Sequence, residues 1–339
     1  MNKNFEVAII GAGPIGLEMA ISLKSSRVSY IHFEAFQLGH TINQWPQDAF
    51  SHNSPEQVTI GGIPLHLPDQ QLLTKDTYLA YLRQVVELCA LHVNTYERVL
   101  AVKKSETGYE IKTDRSIRDY TVKKIILATG NVYSPNTIDI PGIQSDYIRY
   151  DADNIHQYFK TKVLIVGGGN AALKAALQCF RIGASVTISY RQKSFDEHKI
   201  KPEVLVEIHR LISKKLIRFI PGSHLVKTIN HEVWLKTTYG EKKLFANFIL
   251  LRIGHRANMD FFKKIGITLQ GKEEKPQIDQ DSMETNLPEV FIIGSVLNGH
   301  EYGLEIHQCH DHVDKVLKAL QLPTPPATDL VSHNHTFRQ

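Results

Sequence analysis

The sequence predicts an α/β protein made of two Rossmann-like nucleotide-binding units of three-layer ββα type, the second inserted into the first. Three observations predict it. A glycine turn is written twice, as Val7-Ala-Ile-Ile-Gly-Ala-Gly-Pro-Ile-Gly16 and as Val163-Leu-Ile-Val-Gly-Gly-Gly-Asn-Ala-Ala172, with Gly167 standing 156 residues after Gly11. Each turn follows an apolar run of strand length and opens a stretch of helical periodicity, the context that a Gly-x-Gly-x-x-Gly run needs to bind a dinucleotide. Each is followed by a second β-branched run, at 29–33 and at 185–188, which completes a βαβ unit. Composition agrees: 339 residues with 42% hydrophobic and 22% charged can bury two cores, and exclude disorder, a collagen-like repeat and a disulfide-stapled miniprotein.

Taken in order, Gly11 makes the tight turn of the first copy, Gly13 lets a pyrophosphate approach the backbone, and Gly16 lets helix and strand pack closely. The helix that starts at Pro14 then turns free N–H groups toward phosphate charge. Glu34 closes the second strand, 18 residues after Gly16, where a carboxylate accepts both hydroxyl hydrogens of an adenosine ribose. That favours a ribose without a 2′-phosphate, as in FAD or NAD. Residues 98–102 and 109–113 read as a hairpin, and 124–127 as a buried strand ending in Ala128-Thr129-Gly130. Polar runs at 144–146 and 151–154 then mark a domain boundary.

In the second copy Gly167 and Gly169 repeat the turn and Asn170-Ala171 begins the helix, but the position of Glu34 is taken by Tyr190, followed by Arg191 and Lys193. An uncharged residue followed by cations suits a 2′-phosphate, so this copy reads as an NADPH site, with NADH possible. A strand at 248–251, a turn-rich crossing at 252–258, a last strand at 290–294 and a helix over 304–320 complete the chain. The expected divisions are 1–148 and 255–325 for the first domain, 149–254 for the second, and a flexible tail at 326–339 with His333 and His335.

Charge and cysteines limit the function classes. Lys+Arg 39 against Asp+Glu 35 gives +4, spread along the chain, and no reason to expect nucleic acid or a membrane surface as partner. No run is long and apolar enough to span a bilayer and no secretory peptide is visible, so the cytoplasm is the expected compartment. Cys89, Cys179 and Cys309 are odd in number and far apart, offering neither a disulfide framework nor a Cys-x-x-Cys pair; Cys89 and Cys179 sit in apolar helical patterns and are expected to be buried and inert. His300, His307, His310 and His312 crowd the C-terminal helix around Cys309, but solvated or core histidines are the commoner outcome and no metal is expected. Trp45 is a candidate to lie against a flavin.

Residues 11–16, Glu34, 128–130, 167–172 and 291–294 occur in the order and spacing of the pyridine-nucleotide-dependent flavoproteins of the low-molecular-weight thioredoxin reductase type, which the chain resembles over nearly its whole length. Within that group Thr41-Ile42…Pro46, Phe50-Ser51, Ile200-Lys-Pro202 and Met283-Glu-Thr-Asn286 look most like the bacillithiol-disulfide reductase branch. The resemblance implies FAD at Gly11, Gly13, Pro14, Gly16 and Glu34, with Ala35, His40, Thr41, Trp45, Val99, Ala128, Thr129, Gly130, Gly294, Ser295, Glu305 and Ile306 around it. It implies NADPH at Gly167, Gly169, Asn170, Ala171, Arg191, Lys193 and Gly254, and a homodimer. The chain departs from the pattern at Ile15, where the branch carries a cysteine, so no thiol is expected beside the flavin from there. It departs again at Ser295, where the family has an acidic residue on the ribityl chain.

A flavin needs no cysteine to accept hydride; alignment of the two rings suffices. Backbone N–H groups at Glu305-Ile306 are expected to stabilise reduced flavin, as the start of the last helix does in the resembled family. The expectation is an FAD-dependent NADPH oxidoreductase whose acceptor is a small molecule or a small redox protein. A ferredoxin or flavodoxin reductase, a small flavin monooxygenase and a non-enzymatic flavin redox sensor stay open as alternatives.

Overall fold

Strand β1 (Asn4–Ile10) begins exposed and ends with four buried residues, the pattern of a strand covered on both faces of a parallel sheet. The computed structural model describes residues 4–45, 53–68, 71–117, 119–130, 133–150, 154–198, 200–257, 259–299 and 305–323. Pro46, Phe50-Ser51, His300, Leu304 and the tail at 326–339 lie outside the described residues. Helix α1 (Pro14–Ser25) opens on a proline, whose fixed φ and missing N–H suit the first helical position. It buries Leu17, Met19, Ala20, Ile21 and Leu23 at 1% exposure or less. A helix so apolar on several faces is enclosed on more than one side, and Leu17→Ala would cost about 2–5 kcal/mol.

β2 (Tyr30–Phe33) lies parallel to β1 on one side. The hairpin appears as β3 (Val99–Ser105) and β4 (Gly108–Thr113), and β5 (Tyr120–Leu127) lies parallel to β1 on the other side. β5 divides its partners: its first residues pair antiparallel with β4, and its last three run parallel to the strand Val290–Ile292. The registers place Ile10 opposite Phe33 and Leu127, and Leu127 opposite Ile292. Four parallel strands therefore end level with one another. Gly11, Glu34, Ala128 and the approach to Gly294 come to the carboxyl edge of one sheet, where open α/β sheets place their ligands.

The second unit repeats the plan. β6 (Lys162–Val166), α2 (Asn170–Arg181), β7 (Ser185–Ser189) and β8 (Phe248–Leu251) belong to a parallel sheet ordered Arg218–Ile220, β7, β6, β8, Ile148–Arg149. α2 buries Ala172, Leu173, Ala175, Ala176, Leu177 and Cys179. An antiparallel sheet of His224–Ile229, Glu232–Thr237 and Gly240–Phe245 supplies the third layer of the ββα arrangement.

The contacts divide the chain into Met1–Tyr133 with Ala257–Gln339, and Ser134–Arg256. The first crossing thus comes earlier than position 148 because Ile148 and Arg149 pair with Ile249 and Leu250 of β8 and belong to the second sheet. The turn-rich 252–258 stretch contains a short strand, His255–Ala257. The last helix also differs from expectation: a 3₁₀ turn, Ile306–Cys309, precedes a helix that runs only from His310 to Ala319. Among the described residues no helix is long and apolar enough to cross a membrane.

Candidate functional site

Gly11 holds φ +110°, and a Cβ there would fall 2.4 Å from the Ala128 carbonyl oxygen, so no side chain fits where the β1 turn crosses the end of β5. Gly16 packs from behind, where a Cβ would meet the Gly11 carbonyl oxygen at 2.1 Å. At Gly13 a Cβ would touch nothing within 4 Å: the front of the turn is open. Backbone bonds from Gly11 N–H to Phe33 O (2.8 Å) and from Gly39 N–H to Ala12 O (3.2 Å) hold the turn to its neighbours.

Glu34 leaves β2 with its carboxylate almost buried, 8% exposed. Oε2 accepts the Ala12 N–H at 2.8 Å and Oε1 the Phe36 N–H at 3.0 Å. Each oxygen keeps a lone pair, so an oriented carboxylate can still accept two hydroxyl hydrogens. Beyond it Phe36 lies between the His40 ring, stacked at 3.9 Å, and the Arg98 guanidinium, 4.5 Å from its centroid. Burial holds His40 below the usual imidazole range; Arg98 adds to this and Glu34 opposes it.

These groups surround a cavity of about 390 Å³ within the first unit. The turn contributes Gly11, Gly13 and Pro14, the end of β2 Glu34 and Ala35, the next segment His40, Thr41 and Trp45, and β3 Val99. The end of β5 contributes Ala128, Thr129 and Gly130, and the C-terminal segment Gly294, Ser295, Glu305 and Ile306. Of the residues expected around the first cofactor only Gly16 stands outside the wall, because it packs behind the turn.

The cavity suits a flavin dinucleotide on three observations. The turn is open at Gly13, Glu34 is held ready for a ribose, and Thr129 Oγ1 is buried on the wall with no partner among the described residues. Buried hydroxyls are nearly always satisfied, so an orphan on a cavity wall matches a ligand group.

Two expectations need correction. Of the two N–H groups expected to meet reduced flavin, that of Glu305 is already used, donating to Gln308 Oε1 at 2.9 Å in a reciprocal capping box. The cavity also does carry a thiol, Cys309, 2% exposed, alongside Ile15. Burial, with the Glu18 carboxylate adding, pushes that thiol up to about 12, and its Sγ donates to Glu305 O at 3.4 Å. Cys89 and Cys179 are buried, and burial raises both thiols, Cys179 to about 12.

The histidines of the C-terminal segment separate. His310 Nδ1 meets Glu18 Oε2 at 2.7 Å, His312 Nδ1 accepts the Gly294 N–H at 3.1 Å, and His307 lies 3.5 Å from Glu305. Among the described residues no group of three or more His, Cys, Asp or Glu is placed to hold a metal.

Phe36, Asn53, Glu97, Arg98, Phe261 and Phe262 line the cavity without having been expected there. Glu97 precedes and Arg98 begins the strand expected at 98–102; strand periodicity marks the strand, not which residues at its end reach a ligand. Phe261 and Phe262 arrive from far along the chain, in a short helix with no motif.

In the second unit Gly167 repeats the conformation, φ +139°, with a Cβ position 2.2 Å from Arg252 O. Gly169 is open in front, and Asn170 Oδ1 accepts the Lys201 N–H at 2.8 Å. Ala171, Arg191 and Lys193 are exposed. Exposed Gly254, at φ +92°, accepts the Asn136 N–H at 2.9 Å. The Tyr190 ring lies against Gly168, where a Cβ would come within 2.5 Å of it.

Residues 8–294 match the family described as pyridine nucleotide-disulphide oxidoreductase. The chain is 30% identical over 296 residues to bacilliredoxin reductase Bdr of Bacillus subtilis, covering 86% of this chain and 90% of that protein. It is 23% identical over 301 residues to a ferredoxin–NADP reductase of Metallosphaera sedula, covering 86% and 84%. Its fold superposes on bacillithiol disulfide reductase Bdr from Bacillus cereus with a TM-score of 0.85 at 28% identity, over 94% of this chain and 98% of that one. The chain belongs to the pyridine nucleotide-disulphide oxidoreductase family and is an NAD(P)H-dependent flavoprotein oxidoreductase.

Proposed function

We propose that the first unit holds FAD in the 390 Å³ cavity, the second holds NADPH at the Gly167 turn, and the electrons pass on to a small disulfide or a small disulfide-bearing redox protein. The observation that carries the first assignment is the carboxylate of Glu34, fixed by two backbone donors at the mouth of an open glycine turn. The likeness to proteins described as a bacilliredoxin reductase and a bacillithiol disulfide reductase supports the acceptor class. Bound there, a flavin would supply a two-electron acceptor for nicotinamide hydride.

The chain's own residues bind and orient. Gly11, Gly13 and the start of α1 receive the pyrophosphate, Glu34 the adenosine ribose, and Thr129 Oγ1 offers its unused hydrogen bond to the cofactor. Tyr190, Arg191 and Lys193 stand where a 2′-phosphate would lie in the second unit, two cations beside an uncharged ring. Ile15, Val58, Phe261 and Phe262 give the cavity an apolar stretch of wall. Cytoplasmic residence and a homodimer complete the proposal.

The test is anaerobic. Purified protein is expected to be yellow, and one equivalent of NADPH to bleach the visible flavin band in a stopped-flow trace. Reoxidation is then compared across low-molecular-weight disulfides, a disulfide-bearing redoxin, ferredoxin and oxygen. A band that NADPH leaves unchanged overturns the reading, and fastest reoxidation by ferredoxin overturns the acceptor class.

A further inference from the structure

His32 lies in β2, two residues before Glu34, and is fully buried. Its Nε2 is 2.8 Å from the Gly11 carbonyl oxygen. A carbonyl only accepts, so Nε2 carries the hydrogen and Nδ1 is left with a bare lone pair. That Nδ1 is buried with no partner among the described residues. An unsatisfied nitrogen in a core is unfavourable, so stability alone would favour an apolar residue here.

The second unit supplies an internal control. The residue equivalent to His32 is Ile188, likewise fully buried. The Gly167 turn makes the same backbone bond, Gly167 N–H to Ser189 O at 2.9 Å against Gly11 N–H to Phe33 O at 2.8 Å, and excludes a Cβ in the same way. The turn therefore forms without an imidazole. What the first unit adds is a clamp on one peptide plane: the Gly11 carbonyl is held by His32, and the N–H of the same peptide, on Ala12, by Glu34 Oε2 at 2.8 Å. A peptide is rigid, so fixing its C=O fixes where its N–H points.

We propose that His32 is a positioning residue of the flavin site, which orients the Glu34 carboxylate toward the ribose through the Gly11–Ala12 peptide. The imidazole does not touch the cofactor; it acts through a backbone group and a carboxylate that do line the cavity. This rests on the first unit being the FAD site.

The test measures the FAD dissociation constant of the full chain, from flavin fluorescence recovered on serial dilution of the holoprotein, for wild type, His32→Leu, Glu34→Gln and the double variant. His32→Leu is expected to weaken FAD about tenfold, the effect of one charge-assisted or buried hydrogen bond. In the Glu34→Gln background the same substitution should weaken it less than about threefold, because the group it orients is gone. His32→Gln, which keeps an N–H donor, should stay within about threefold of wild type, and His32→Phe replaces the leucine variant should that one not fold. An unchanged FAD affinity in His32→Leu, or a full tenfold loss with Glu34 already replaced, overturns the proposal. A glutamine variant as weak as the leucine one overturns it too. Wild-type protein that binds no FAD at all would instead sink the assignment of the site, a result no histidine variant can mimic.

Discussion

The two glycine turns share a backbone and differ in what surrounds it. Both carry a glycine at positive φ pressed against a carbonyl of a neighbouring segment, Ala128 O in one and Arg252 O in the other, and both open in front at the third position of the motif. The first turn is then gripped by two polar side chains, His32 of β2 and Glu34 just after it, and lines the cavity. The second has Ile188 and the Tyr190 ring at the same places, with Arg191 and Lys193 exposed beyond. Pre-organisation lowers the ordering that binding must supply. A turn whose one peptide is held at both its C=O and its N–H suits a cofactor that stays, and one flanked by Ile188 and Tyr190, with exposed cations beyond, suits a nucleotide that must leave after each turnover.

The sharpest way to break the comparison is to damage each turn alike. Gly11→Ala forces a Cβ within 2.4 Å of Ala128 O, and Gly167→Ala within 2.2 Å of Arg252 O. Each is expected to destabilise by about 3 kcal/mol or more, since backbone cannot move aside cheaply and φ is strained for alanine. Gly11→Ala should yield colourless protein. Gly167→Ala should keep its flavin, measured as absorbance at the visible band per chain, yet resist bleaching by NADPH. A colourless Gly167→Ala would show that the two turns do not serve separate ligands.

Acid should also separate them, because only the first turn has a buried imidazole. His32 is held at about 4 by burial, its bond to the Gly11 carbonyl opposing, against 6.5 for an ordinary imidazole. The unfolded chain therefore takes up a proton that the folded one refuses. Stability from this group is complete above about pH 6.5 and is lost as pH falls toward 4, about 3 kcal/mol in all. Urea midpoints from pH 7 to 4 should fall more steeply for wild type than for His32→Leu, and parallel slopes would show that the ring does not titrate in this window.

Much of this was legible beforehand, and the reason is local. A βαβ unit is encoded within a few dozen consecutive residues, so Gly11, Gly13, Glu34 and their counterparts Gly167, Gly169 and Tyr190 could be placed by counting. Two features are not legible in this way, one set by pairing between distant segments and one by a cap. The division expected between 148 and 149 cuts a strand because Ile148 pairs with Ile249, far along the chain, and the helix expected over 304–320 starts later because a Glu305–Gln308 capping box opens a 3₁₀ turn first. His32 carried no signal at all: one histidine in a β-branched run resembles any core strand, and its partner is a carbonyl.

A smaller effect concerns the cations of the second unit. Arg191→Ala is expected to raise KM for NADPH about tenfold and to leave KM for NADH within twofold, since the guanidinium would face only the 2′-phosphate. An equal rise for both nucleotides would place Arg191 on the part they share.

The smallest expected effect tests whether any thiol takes part. Disulfide exchange needs a thiolate. Cys309 lines the flavin cavity, but burial and Glu18 push it to about 12, so at pH 7.5 roughly one molecule in ten thousand or fewer carries the thiolate. Cys89 and Cys179 are buried too, with their thiols raised. Native protein incubated with iodoacetamide at that pH should therefore keep both its NADPH-driven bleach and its turnover within about twofold, with no carbamidomethyl group found by mass spectrometry. Turnover lost in step with alkylation of Cys309 alone would show that the wall of the first site is itself part of the electron path, a difference from the second turn beyond how each holds its nucleotide.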